Sequence, residues 1–163
     1  GKCDYLFFDG FTVDESDGRQ FPRAASDVLQ LSHFYRHVPV LHPGLVVRTS
    51  VMQAYGFNRD LNLAADFDLM VRFVVDKLSG KHVRFFGVHV VSGGLSEQHR
   101  VRARWQATGS LWRHDPSLSG RLKIFISFVR FLALHSLIVG VVHRWPWLRR
   151  TLQRIRQSHE SPR

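Results

Sequence analysis

Cysteine is almost absent from this chain: Cys3 is the only one among 163 residues, so no internal disulfide can form. No secretory leader opens the sequence, because Gly1-Lys2-Cys3-Asp4 runs directly into strand-like residues. A reducing, cytosolic compartment is the expectation. No initiator methionine is present either, which suggests a fragment or a processed product. Internal repeats and low-complexity tracts are missing as well. Acidic residues are scarce in one region only. Residues 1–99 hold 10 Lys/Arg against 11 Asp/Glu, a net of −1, whereas residues 100–163 hold 13 against 2, a net of +11. The whole basic excess belongs to the last third, which calls for a polyanionic partner, either an anionic lipid surface or nucleic acid.

What is present argues for a folded body. A hydrophobic fraction of 44% and 13 phenylalanines exclude a disordered chain, and the length suits one domain with a true core. Residues 4–9 read as a buried aromatic strand, and residues 14–18 as a polar hairpin tip. That tip lacks the alternating ligands and distal Glu of a calcium loop. A helix is expected over residues 26–37, capped by Ser26 or Asp27 and ended by Pro39. Residues 45–48 suggest a strand, followed by a helix to Tyr55 that Gly56 terminates. The clearest helix covers 66–78, where Phe67, Met70, Val71, Val74 and Leu78 recur at helical spacing. Residues 82–91 read as a further strand, and Gly93-Gly94-Leu95-Ser96 as a loop needing unusual backbone angles. A basic helix over 100–114, a break at Asp115-Pro116-Ser117, an apolar stretch over 121–144 and a basic helix from Trp147 to Gln157 complete the chain. Strands and helices alternate before residue 100 and helices alone follow, which predicts an α/β body over 1–99 and a helical, basic tail over 100–163.

Several segments then fall into a familiar order: His42-Pro43-Gly44-Leu45-Val46-Val47-Arg48, then Tyr55-Gly56-Phe57-Asn58, then Ala64-Ala65-Asp66-Phe67-Asp68-Leu69 with Arg72, and last Gly93-Gly94-Leu95-Ser96. Over about residues 4–100 this resembles the carboxy-terminal half of bacterial family 2 glycosyltransferases of polysaccharide synthesis. Those enzymes show a His-containing strand ending in Arg, a Gly-Gly-Phe-Asp turn, an Ala/Glu-Asp-Tyr/Phe-Asp/Glu helix start and a Gly-Gly-Val-Ser loop. Tyr55 and Asn58 depart from the turn pattern. The resemblance implies a partial GT-A, Rossmann-like layer, a nucleotide-diphosphate sugar as donor, a hydroxyl acceptor that is often lipid-linked, and inverting transfer.

It also implies that Asp66 is the general base, with His42, Gly93, Gly94 and Ser96 near the acceptor. A sugar hydroxyl must lose its proton as it attacks the anomeric carbon, and a positioned carboxylate contributes about 10²–10⁴-fold in such a step. One carboxylate suffices, because the diphosphate leaves from the opposite face. Asp66 and Asp68 do not form a hydrolase-like pair, since residues two apart on a helix point in roughly opposite directions. The ordinary alternative for Asp66 is a first-turn acid or N-cap, and Asp68 is assigned to the helix dipole or packing. Ser96 has a capping alternative, Gly93 and Gly94 that of a tight turn, and His42 that of a loop hydrogen bond.

A divalent cation, Mg or Mn, is expected for the intact enzyme, but the Asp-x-Asp motif that holds it lies upstream in the family. Residues 1–40 do not supply it, so the isolated chain is expected not to transfer sugar. The Gln-x-x-Arg-Trp motif of processive synthases is not reproduced by Gln98 and Arg104-Trp105, which favours addition of a single sugar. His82, His89, His99 and His114 show no metal spacing and read as packed or solvated.

In the tail, residues 124–142 approach the length of a bilayer span, but a central Arg130 costs about 2.5–3.5 kcal/mol there. Arg130, Arg144, Trp145, Trp147, Arg149 and Arg150 suit a headgroup interface instead, each basic residue contributing about 1 kcal/mol on an anionic leaflet. The expectation is a peripheral position on the inner face of the cell membrane. Packing of the tail on the body is the second reading. Nucleic acid comes third, because no base-reading motif is present. The rival to an enzyme is a remnant that keeps the core and binds through its tail.

Overall fold

The computed structural model describes residues 3–15, 17–36 and 38–144. The aromatic run that opens the chain is β1 (Tyr5–Val13), longer than its hydrophobic pattern predicts. Its alternate side chains Tyr5 and Phe7 point into the core, as the twofold period of a strand requires. A polar turn closed by the Asp14 amide on the Arg19 carbonyl at 2.8 Å returns the chain into β2 (Gln20–Arg23). β3 (Leu45–Val47) follows a 3-10 turn at His42–Gly44, and β4 covers Gly80–Val91. One edge of β1 receives β2 at residues 10–13 and β3 at residues 5–7, both antiparallel; the other edge carries β4, in parallel, over its whole length. The result among the described residues is a mixed four-stranded sheet with β1 at its centre. A parallel neighbour requires a crossover, which α2 (Thr49–Tyr55) and α3 (Ala65–Val75) contribute between β3 and β4.

The helix expected over 26–37 is a correction. Only α1 (Leu31–Phe34) forms, with Gln30 and His33 making a reciprocal cap. Asp27 does not cap it, because its carboxylate accepts from Arg84 Nη2 at 2.7 Å and lies 3.1 Å from His82 Nδ1. Those hydrogen bonds hold the Asp27 carboxyl down at about 2. Val28, one of the expected apolar contacts, lies exposed, while Leu29 and Phe34 are buried.

After β4 come α4 (Leu95–Gln98), α5 (Arg100–His114) and α6 (Leu118–Arg144). Ser117 starts α6 by accepting the Gly120 amide on its hydroxyl at 3.0 Å, an ordinary N-cap. Residue 100 marks a change of composition and charge, but the core runs across it. Ala107 and Leu111 of α5 and Ile124 of α6 are buried with Phe34, Phe67, Met70, Val71 and Phe73. No helix among the described residues is long and apolar enough to cross a membrane. The α/β class expected from the sequence is thus present.

Candidate active site

α3 begins with two acids that meet opposite fates. Asp68 is buried: its carboxylate accepts from Arg72 Nε at 3.0 Å and from Ser110 Oγ at 2.7 Å, with His114 Nε2 at 3.5 Å. The Arg72 guanidinium continues to the carbonyls of Tyr55 and Gly56, at 3.0 and 2.7 Å, so one ion pair joins α2, α3 and α5. Asp68 is therefore a structural anchor that packs, as the sequence suggests. His114 packs too. Asp66, two residues earlier and on the opposite side of the helix, is half-buried, accepts the Phe67 amide on Oδ1 at 2.7 Å, and lines an open hollow of about 520 Å³ between α3, α5 and α6. It stands in the first turn of α3, where the dipole favours a negative charge. Ala64, not Asp66, is the cap residue.

The loop that delivers Asp66 is tied on both sides. The Leu63 amide donates to Gln106 Oε1 of α5 at 2.9 Å, and the Leu63 carbonyl accepts from Ser96 Oγ of α4 at 3.1 Å. Gln106 in turn donates to Asn62 Oδ1 at 2.9 Å. Ser96 does not cap α4, whose start carries no side-chain cap; the hydroxyl is spent on Leu63, and that ties the segment after Gly93-Gly94 to the loop before Asp66. Ser96 also lines the hollow beside Asp66.

The structure does not bring the other expected acceptor residues into that hollow. His42 stands in the 3-10 turn before β3 with its ring edge-on to Phe57 at 5.8 Å. Gly93 adopts φ 94°, which favours glycine, and its amide donates to Glu97 Oε2 at 2.5 Å. A Cβ there would meet Glu15 Oε2 at 2.7 Å, so Gly93 is packed against the β1–β2 hairpin. Gly94 is the exposed residue that starts α4. The turn reading therefore describes both glycines. Of the expected set, Asp66 and Ser96 share one site.

Residues not expected near the acceptor complete the hollow. Arg36, Arg100, Arg104 and Arg130 line it together with Glu97, and Phe67, Ala103, Ala107 and Phe131 form its apolar wall. Arg130 was expected at a membrane; here its side chain borders the hollow. Arg104 is held by donating from Nη2 to the Tyr35 carbonyl at 2.8 Å and to Ser127 Oγ at 2.6 Å, and Ser127 donates to the same carbonyl at 2.6 Å. Tyr35 is fixed in turn by its hydroxyl donating to Asp115. Burial and that bond push the Tyr35 phenol up to about 12. The cluster of basic residues in the last third signalled Arg100, Arg104 and Arg130; nothing in the sequence signalled Arg36.

Arg144 ends α6, and Trp145, Trp147, Arg149 and Arg150 lie outside the described residues, as does the helix expected from Trp147 to Gln157. No group of three or more His, Cys, Asp and Glu among the described residues is arranged to hold a metal ion, so the expected Mg or Mn finds no ligand set there. Comparison with family models, with curated proteins and with solved structures finds no match for this chain.

Proposed function

We propose that this chain is the acceptor-side half of an inverting family 2 glycosyltransferase, with Asp66 as general base in the transfer of one sugar from a nucleotide-diphosphate donor to a hydroxyl. The observation that carries the reading is the contrast on α3: Asp68 is sealed in an ion pair, while Asp66 opens onto a hollow of about 520 Å³ and has no ion pair among the described residues. A base must reach its hydroxyl and keep a lone pair free for the proton, and an acceptor sugar fits a hollow in the range of small-molecule sites. Among the described residues Asp66 accepts on Oδ1 alone, from the Phe67 amide, which leaves Oδ2 to take that proton.

The sheet supports the same reading. β4 pairs with β1 alone among the described residues, so a long edge is left without a strand, and Phe85, Phe86 and Val91 stand exposed on it. Long unpaired edges with exposed apolar side chains are normally covered. A donor-binding half of a GT-A layer, carrying the Asp-x-Asp ligands of a divalent ion, is the covering we assign.

α6 supports peripheral membrane attachment. Its face opposite Ile124 presents Leu118, Leu122, Phe125 and Val129 to solvent at helical spacing, with Arg121 and Lys123 beside them. An apolar stripe flanked by cations suits the headgroup region of an anionic leaflet on the cytoplasmic side. Flotation with anionic vesicles is expected for the chain and is expected to be lost in Leu122→Glu. Retention on DNA in place of vesicles would transfer the tail to nucleic acid.

The decisive test is a transfer assay on the protein extended through the reading frame that precedes Gly1, with nucleotide-diphosphate sugars and Mg or Mn. Asp66→Asn is expected to lower kcat by about 10²–10⁴-fold with donor Kd unchanged. Full activity in that variant, or a preceding frame without an Asp-x-Asp strand end, ends the transferase reading and leaves the chain a binding remnant. The 163-residue chain by itself is expected to show no donor binding by titration.

A further inference from the structure

A second hollow, of about 750 Å³, adjoins the one at Asp66 and shares Arg36, Ser127 and Arg130 with it. It lies between the end of α1 and the flank of α6, and Lys123 and His33 also line it. No carboxylate among the described residues borders it. Arg36, Lys123, Arg130 and Arg104 form no ion pair among the described residues; the arginines that do are Arg19, Arg72 and Arg84. Cations gathered around a concavity repel one another more strongly than the same charges spread on a convex face, because the walls exclude solvent.

Arg104, at the junction, sharpens the point. Its Nε is buried with no hydrogen-bond partner, and its Nη2 meets only neutral oxygens, the Tyr35 carbonyl and Ser127 Oγ. A guanidinium in that setting has lost water without gaining a counter-charge. Burial accordingly draws its pKa below the ordinary value.

We propose that this second hollow is a binding site for a phosphate-bearing ligand, a phosphomonoester or diphosphate, held by Arg36, Lys123 and Arg130 and backed by the charge of Arg104. Arginine forks match phosphate oxygens two at a time, and lysine adds a point charge. The site stands on its own charges and does not depend on Asp66 being catalytic. If Asp66 is the base, the phosphate is carried by the acceptor, beside the hydroxyl that reacts.

The test is calorimetric titration of the full chain with inorganic pyrophosphate at about 0.15 M salt, where exposed charges are already screened beyond about 8 Å. Saturable one-to-one binding is expected, weakened at least tenfold in Arg36→Gln and in Arg130→Gln. Arg102→Gln, on the exposed side of α5, is expected to bind as the parent does. Circular dichroism on each variant separates lost binding from lost fold. No saturable binding, or an equal loss in Arg102→Gln, overturns the site and leaves diffuse charge attraction only, without touching the transferase reading. A second arm uses vesicles of phosphatidylcholine with phosphatidate: release of the chain by pyrophosphate assigns the ligand to a lipid headgroup, and pyrophosphate binding without such release assigns it to a free or water-soluble phosphoester.

Discussion

The sheet side of this molecule and its helical side treat charge in opposite ways. Around β4, carboxylates find partners: the His82 ring lies 2.9 Å from Asp9 and 3.1 Å from Asp27, and Arg84 reaches Asp27 at 2.7 Å. Arg72 does the same for Asp68 within α3. Where α1, α5 and α6 converge, Arg36, Arg100, Arg104, Lys123 and Arg130 surround two hollows without one ion pair among the described residues. Charges that hold the fold are neutralised within it. Charges left unneutralised in a concave place are available to something that binds there. The same distinction separates Asp68 from Asp66.

The contrast can be broken most severely at Arg72. Arg72→Ala leaves the Asp68 carboxylate buried without its cation and is expected to cost about 3–5 kcal/mol, read as a lowered urea midpoint. Ser110→Ala removes one hydrogen bond to the same carboxylate and is expected to cost about 1–3 kcal/mol in the same experiment. Arg100→Gln, on the unpaired side, is expected to change stability by no more than about 0.5 kcal/mol. A large loss there would mean that the hollow's cations hold the fold after all.

The smallest effect concerns Arg84. Because Asp27 is held at about 2 against an ordinary 3.8, its contribution to the folded state is whole above pH 3.8 and is lost as the pH falls through about 2. Arg84→Gln is expected to move the Asp27 midpoint back toward 3.8 in a carboxyl-resolved NMR titration. Because Asp27 is exposed, global stability near neutral pH is expected to stay almost unchanged.

Local elements were legible where the sequence carries its own period. The spacing of Phe67, Met70, Val71 and Val74 marked α3, the aromatic run marked β1, and Gly56, at φ 57°, marked the end of α2. α1 was overestimated because Asp27 reads as a cap within its own segment, whereas its partners are 55 and 57 residues away. Distance along the chain hid the rest. Nothing near Asp68 announces Ser110, 42 residues on, and nothing near Leu63 announces Gln106, 43 residues on. Asp66 could be named from its neighbours, but its hollow exists only because α6 lies across α5, which no local pattern encodes. The arginines were visible as a crowd; which of them share a cavity was not.

β1 is both the earliest strand of the described chain and the middle of the sheet, and this sets an order of events during synthesis. Its partner β4 begins 75 residues later, at Gly80 opposite Tyr5. At about 5–20 residues per second, roughly 4–15 s pass before a ribosome has made that partner. Through that interval Phe7 and Phe8 have only the β2 hairpin and β3 for shelter, so the nascent chain is a natural client for chaperones. Slowing translation between residues 48 and 80 would be expected to reduce the soluble yield more than slowing it after residue 92.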